Sequence, residues 1–557
     1  MDTAGENPNS MVSGGRSRRF DSTATRVASR GGRRRVSRAV VPAVAACLVL
    51  GACGGGDDDK SAKDTDTSAV TPKSGGTVTV AMASDMRSMD PFGALSNSYT
   101  DNTRLNAVYD SLFWHEAKTG KVMPQIGESL VPDPGNASWT LKIKPNVKFS
   151  DGSPYDAAAV KFTWDEHAAP ARKSYQAGTI QAIGSTEVVD PTTLRITLKG
   201  PNANFDHIVA SNLSFIVSPT AYRKDPAAFS RNPVGAGPYT FKEWSNGDHM
   251  TFVKNPTYWQ GPGKPYADSV VFKIIQDSTQ ALETVFSGSA DMKVSVNAED
   301  PVKAKQKGLE TKTVTIIGGE SLYFNNKRAP FDDPRARRAV QLALDADEVN
   351  KISFSGNGTP TRSIFPPDSP LVDSGTETVQ RTDRAEAQRL LNELAAEGKP
   401  LDFTYSIPQN ANAAKTAEYI MTQLLALKNI AVKIAPMPIA AFQTDIVINK
   451  NYQAAMFSYY LSDAEPGLYV NLFSTSPNNY LMYANPAVDQ NLEKARTTND
   501  AAQRKAAYTA VAAQLKQDAA LWTYQSSVVT GFHRSVIVGM VLTNDGMVLM
   551  DRIGLKG

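Results

Sequence analysis

The chain has 557 residues, 41% of them hydrophobic and 21% charged, with 59 lysines and arginines against 56 acids and a formal net charge of +3. Residues 1–52 hold nine arginines and three acids, a local net of +6, which leaves 50 basic and 53 acidic side chains on the rest of the chain. A mean hydropathy of −0.32 excludes a polytopic membrane protein, and a body of net charge −3 offers no basic face for nucleic acid.

The arginine-rich stretch is followed by a dozen apolar residues, 39–50. That is short of the roughly 20 that span a bilayer, and it suits the core of a signal peptide. The run ends in Leu50-Gly51-Ala52-Cys53, which resembles the lipobox of bacterial lipoproteins, where the cysteine is lipidated and becomes the mature N-terminus. Residues 1–52 are therefore expected to be a lipoprotein signal peptide, with Cys53 the lipidation site. Arg34-Arg35 raises twin-arginine export as an alternative to the general route, and Met11 is a possible start in place of Met1. Cys47 falls in the removed segment, so no disulfide is expected. Residues 53–74, rich in Gly, Asp, Ser and Thr, read as a flexible tether.

The remaining 480 or so residues exceed the roughly 250–300 at which a single core stops growing, so at least two domains are expected. The first strand is Thr77–Met82, with Val78 and Val80 on one face. A β-rich region follows: Trp139, Leu141 and Ile143 alternate, Asp190-Pro191 separates two strands of a hairpin, and Asn246-Gly247 turns another. From 320 onward helix and strand alternate. Asp333-Pro334 starts a helix with Ala336, Val340 and Ala343 on one face, and Asp383 with Glu386 forms a capping box ahead of Leu390, Leu391 and Leu394. Strand 401–407, helix 412–428, strand 430–435, helix 439–448 and strand 453–460 come next. This spacing predicts a mostly parallel sheet over 320–520.

Catalytic chemistry is not visible. The five histidines, His115, His167, His207, His249 and His533, form no HExxH or i,i+4 pair, and there is no CxxC, Walker loop or GxSxG elbow. No metal site and no cofactor are expected. An exported, tethered, two-lobed α/β body without a catalytic motif suits a solute receptor that closes on its ligand by hinge motion. A surface-anchored hydrolase or a sensor that signals to a membrane partner are the rival classes.

Four blocks give a specific resemblance. They are Gly75–Ala81 with Met89-Asp90-Pro91; Trp139–Gly152 with Asp156–Phe162; Asn232–Tyr239 through Asn255–Trp259; and Phe324-Asn325-Asn326 with Ala329–Val340. In order and spacing they resemble the family 5 extracellular solute-binding proteins, the dipeptide- and oligopeptide-binding components of ABC importers, over essentially all of 75–557. Ala236 departs from the threonine usual there. The blocks themselves read as structural: Gly235 and Gly237 a turn, and Arg335, Arg337 and Arg338 a solvated helix face.

The resemblance implies a two-lobed α/β fold of the type II periplasmic-binding-protein kind. Lobe I would comprise 75–318 plus 521–557, with a β-rich subdomain near 108–230, and lobe II would be 319–520. It implies a monomeric, extracytoplasmic receptor that takes peptide in an inter-lobe cleft and hands it to a membrane permease with its ATPase. The family's other cargoes (nickel chelates, haem, opines, oligosaccharides) remain open. For the site it implies Asp463 as partner of the peptide ammonium and Tyr460 as an aromatic wall. Asn479 would add a polar contact, and Asn97, Tyr99, Glu320, Ser321 and Tyr323 would line the cleft. Phe457 stands where some oligopeptide binders carry Arg.

Overall fold

The computed structural model describes residues 72–94, 99–461 and 463–557. The expected signal peptide, Cys53, most of the tether and Asn97 lie outside the described residues.

Ten strands share one sheet, in the spatial order Ile430–Met437, Leu401–Pro408, Ala454–Leu461, Glu310–Phe324, Leu521–His533, Met292–Ser295, Thr77–Met82, Ser269–Ile274, His249–Lys254 and Tyr239–Ser245. The alternation at Thr77–Met82 has the expected cause: Val78 and Val80 are fully buried, and the strand pairs in parallel with both neighbours. Asn246-Gly247 closes Tyr239–Ser245 on His249–Lys254 as an antiparallel hairpin.

Within 320–520, Leu401–Pro408 pairs in parallel with both Ile430–Met437 and Ala454–Leu461, as the helix–strand alternation predicts. The parallel expectation stops there. The other edge of Ala454–Leu461 is antiparallel to Glu310–Phe324, which is in turn antiparallel to Leu521–His533. These last two strands, 15 and 13 residues long, carry the chain into this half and out again in opposite directions. Their pairing needs no crossover helix.

The expected caps form. Asp333 accepts from Arg335 N at the start of helix Pro334–Ala343, and Asp383 accepts from Glu386 N at the start of Arg384–Ala396. One expectation at the first of these helices is corrected: Arg337 is buried, donating to Phe331 O at 2.7 Å and Asp518 O at 2.8 Å. The helix expected at 439–448 is a single turn, Ile439–Phe442, continued by a π-type turn, Gln443–Ile448.

The β-rich segment forms its own antiparallel sheet in the order Gly127–Pro132, Ser138–Ile143, Thr193–Leu198, Ile183–Asp190. Trp139, Leu141, Leu194 and Ile196 build a separate core there with Trp164 and Phe205 from two covering helices, Ala157–Ala168 and Phe205–Asn212. The main sheet's core is likewise divided. One cluster joins Val78, Leu105, Phe252, Phe272 and Met292 to Leu549 and Met550 near the C-terminus. Two others gather residues 317–524, around Leu322, Leu391 and Phe403 and around Tyr323, Leu468 and Tyr508. Separate cores on one sheet, linked through two long central strands, make a two-lobed α/β fold.

Candidate ligand-binding site

Two cavities border the long strand Glu310–Phe324, and the first also borders Leu521–His533. The first has a volume of about 690 Å³, within the roughly 300–1,000 Å³ of small-molecule sites. Glu320 and Gln525–Val528 form its floor. Tyr99, Lys293 and Ser295 come from one group of core elements, and Phe457, Ser458 and Tyr460 from the other. Tyr460, which lines this cavity, is 45% exposed. Phe457 stacks on Phe442, with ring centroids 6.4 Å apart and planes 16° apart, and meets Tyr480 edge-on at 5.7 Å.

The charges at this cavity are not equivalent. Lys293 is committed internally: its Nζ donates to Asp300 Oδ2 at 2.6 Å and to Ser278 Oγ at 2.8 Å. Glu320 accepts only from the Tyr524 hydroxyl, at 3.3 Å, and pairs with no cation among the described residues. Burial pushes its carboxyl above the ordinary range, with the Tyr524 hydrogen bond opposing. Beside it Gln525 is 2% exposed, and neither atom of its side-chain amide has a partner among the described residues. A buried amide left unmade costs about 1–3 kcal/mol, and a buried unpaired carboxylate more. Such a floor favours a ligand that brings a cation together with a peptide-like donor and acceptor.

The second cavity, about 600 Å³, is lined by His207, Asp463, Glu465, Arg504, Tyr508 and Thr313–Ile317, among others. Asp463 is the N-cap of helix Ala464–Leu472, its Oδ1 accepting from Glu465 N at 3.1 Å. Its Oδ2 lies 2.8 Å from His207 Nδ1 and 3.6 Å from His115 Nε2, and the two ring nitrogens are 3.3 Å apart. Burial would raise the Asp463 carboxyl, but the His207 charge and hydrogen bond outweigh it and hold it down to about 2. His207 is lowered by burial and raised more by Asp463, to about 8, while burial takes His115 down to about 4.

The structure thus brings Tyr99, Glu320 and Tyr460 together at the first cavity and sets Asp463 on the second, already engaged by two histidines. Three other expected contacts are corrected. Ser321 is fully buried and shares a hydrogen bond of 2.9 Å with Thr523 Oγ1. Tyr323 is fully buried against Phe457 and Tyr459. Asn479 is 2% exposed and donates to Tyr483 O at 2.6 Å. Alternation explains the first two: with Glu320 toward the cavity, Ser321 and Tyr323 share the opposite face of the strand. Sequence reasoning missed Gln525, His115 and His207. None carries a local signal, because each acquires its neighbours only through the sheet or the packing of distant helices.

A two-lobed α/β body with a polar-floored, aromatic-walled cavity between its core clusters defines the class of solute-binding proteins. The profile of the bacterial extracellular solute-binding proteins, family 5 Middle, matches residues 121–480, and the chain belongs to this family, whose members serve ABC importers. It is accordingly an extracytoplasmic binding protein rather than an enzyme. Among the described residues no helix is long and apolar enough to cross a membrane. The glutathione-binding protein GsiB of Escherichia coli (strain K12) is 28% identical over 447 residues, 78% of this chain and 85% of that protein. Among solved structures, the ABC transporter substrate-binding protein CtaP of Listeria monocytogenes superposes with a TM-score of 0.74 at 22% identity, covering 87% of this chain and all of its own. The dipeptide-binding protein of Pseudoalteromonas sp. SM9913, solved with Met-Leu, gives 0.74 at 20% identity, covering 86% of this chain and all of its own.

Proposed function

We propose that the chain is the lipid-anchored receptor of an ABC importer, capturing short peptides with a free amino group, glutathione-like ones included, and delivering them to a membrane permease. The observation that carries this reading is the Glu320 carboxylate, which lines a ligand-sized cavity and pairs with no cation among the described residues. A peptide ammonium at Glu320 supplies the missing charge, and the Gln525 amide reads the adjoining backbone. Tyr460 takes an apolar side chain. The ammonium contact expected of Asp463 passes to Glu320 because Asp463 is already paired. The GsiB relationship and the bound Met-Leu of the Pseudoalteromonas structure support peptide-sized cargo. In this reading lobe I is 75–318 plus 521–557, lobe II is 319–520, and the monomeric body closes about the strands between them. Cys53 carries the lipid, and the segment to residue 74 is the tether.

Calorimetric titration with matched free-amino and N-acetylated tripeptides tests the proposal. Loss of a charged hydrogen bond costs about 1.5–3 kcal/mol, so Glu320→Gln is expected to weaken the free-amino ligand by about 10- to 150-fold. Affinity should also fall as pH drops through the raised range of the Glu320 carboxyl, since only the ionised form pairs with ammonium; the variant should lose that dependence. Equal affinity for the two ligands would sink the proposal.

A further inference from the structure

Three side chains from separate parts of the fold converge at one point on the second cavity. His115 ends strand Phe113–His115, His207 lies in the first turn of helix Phe205–Asn212, and Asp463 caps helix Ala464–Leu472. Their three nearest polar atoms form a triangle of 2.8, 3.3 and 3.6 Å. Tetrahedral zinc with bonds near 2.0–2.1 Å holds its donors about 3.3–3.4 Å apart, so the 3.3 and 3.6 Å edges are close to one face of such a site, and the 2.8 Å edge between His207 and Asp463, now a hydrogen bond, would open by about 0.5 Å on binding. We propose that His115 Nε2, His207 Nδ1 and Asp463 Oδ2 bind a divalent transition-metal ion of the zinc type.

Without an ion the contacts need two protons, one on His207 Nδ1 and one on His115 Nε2. His207 Nδ1 carries at most one proton, which can serve Asp463 Oδ2 or His115 Nε2 but not both. A single cation replaces both protons and satisfies all three donors. The carboxylate is already oriented, because its other oxygen is held by Glu465 N; fixing a ligand from outside the coordination sphere in this way is what stable metal sites do. Two imidazoles and one carboxylate select zinc, cobalt or nickel over calcium or magnesium, which prefer all-oxygen shells. His115 is 3% exposed and closes the inner side, whereas His207 and Asp463 line the cavity, so the fourth position faces it. A water or a donor atom of a solute would fill that position.

The ion would also act as a clip. His115 and His207 belong to the part of the chain that carries the four-stranded sheet, and Asp463 to the helices that follow Ala454–Leu461. The same seam is bridged by Asn202 Nδ2 to Glu465 Oε1 at 3.1 Å and by Asn204 Nδ2 to Ala495 O at 3.2 Å. A metal bond there joins elements 256 residues apart in sequence. This site is separate from the Glu320 cavity, and either can exist without the other.

The test uses the full chain, stripped with a chelator and titrated with Co²⁺, then with Zn²⁺ in competition. The expected result is the visible d–d absorption of a four- or five-coordinate Co²⁺ site at one equivalent, abolished by Zn²⁺. Disturbing the groups that orient a metal's ligands typically costs about 10–100-fold in affinity, so removing a ligand by His207→Gln or Asp463→Asn should weaken Zn²⁺ binding by at least about 100-fold. His249→Gln, at a surface histidine outside the cluster, should change nothing. Should the ligand variants fold poorly, X-ray absorption of the Zn²⁺-loaded wild-type chain gives the first shell directly, expected to contain two imidazoles and a carboxylate oxygen. Wild-type chain with no d–d bands, or with a first shell lacking imidazole, overturns the proposal while leaving peptide binding at Glu320 untouched.

Discussion

His167 shows how one buried side chain sets a pH dependence unrelated to ligand binding. It is 2% exposed on helix Ala157–Ala168, its Nδ1 lies 2.7 Å from Ser174 Oγ, and the Phe92 ring meets it edge-on at 4.6 Å. Burial lowers it from 6.5 to about 3, so the folded chain keeps it neutral where the unfolded chain protonates it. Stability from this group is therefore complete above pH 6.5 and is lost as pH falls toward 3. In His167→Gln, which keeps a polar partner for Ser174, that loss disappears. Denaturant unfolding at pH 7.5 and 5.5 should show the wild type losing about 1.4 kcal/mol more than the variant over this interval. Comparing the two proteins cancels every other titrating group, including Asp90, which burial raises to about 6 with the opposite effect. Parallel stability curves would refute the assignment. Nothing in the residues around His167 announces this role, since its partners Ser174 and Phe92 meet it only in the folded chain. The cap at Asp333 was legible because its partner, Arg335 N, is two residues away.

Among the elements, the two long strands matter most, and they were the least legible. Amphipathic helices and short strands declare themselves through period, but Glu310–Phe324 is buried on both faces over its last part and shows no alternation there. Its register against Leu521–His533 shifts between Ile316 and Glu320, the point at which the strand passes from the first core cluster to the others. Gly318 sits within this irregularity at φ +114°, and a Cβ there would stand 2.2 Å from Tyr459 O. A side chain thus meets both a backbone region reserved for glycine and a carbonyl of the neighbouring strand. Gly318→Ala should cost about 1–3 kcal/mol or more and lower the unfolding midpoint. If closure turns on this irregularity, ligand affinity should fall as well, whereas an alanine at exposed Gly356, open on all sides though also at positive φ, should leave affinity unchanged. Unaltered stability and affinity in the Gly318 variant would show that the strand does not depend on the irregularity.

At the scale of the whole molecule, the C-terminal strand determines whether the parts are independent. Leu521–His533 lies inside the sheet between Glu310–Phe324 and Met292–Ser295, and it contributes to four hydrophobic clusters. Leu521 belongs to one, Trp522 and Tyr524 to a second, Val529 to a third, and Phe532 to a small cluster with Leu282 and Ala304. The helix–strand alternation over 320–520 predicts a mostly parallel sheet, and period does not reveal that a later segment supplies part of the interior there. Deleting 521–557 removes apolar contacts from all four clusters and exposes two sheet edges, which invites association between chains. The truncated chain is expected to lose its cooperative thermal transition and to aggregate. A point variant tests the same dependence without truncation. Trp522 is 2% exposed and stacks on Tyr524 at 5.1 Å, and burying no side chain there should cost about 3–5 kcal/mol for Trp522→Ala. Because the strand is shared, the loss should lower protection from hydrogen exchange on both sides of it, in Thr77–Met82 as well as in Leu401–Pro408. Protection lost in Leu401–Pro408 alone would mean that the two halves unfold separately and that the strand serves only one of them.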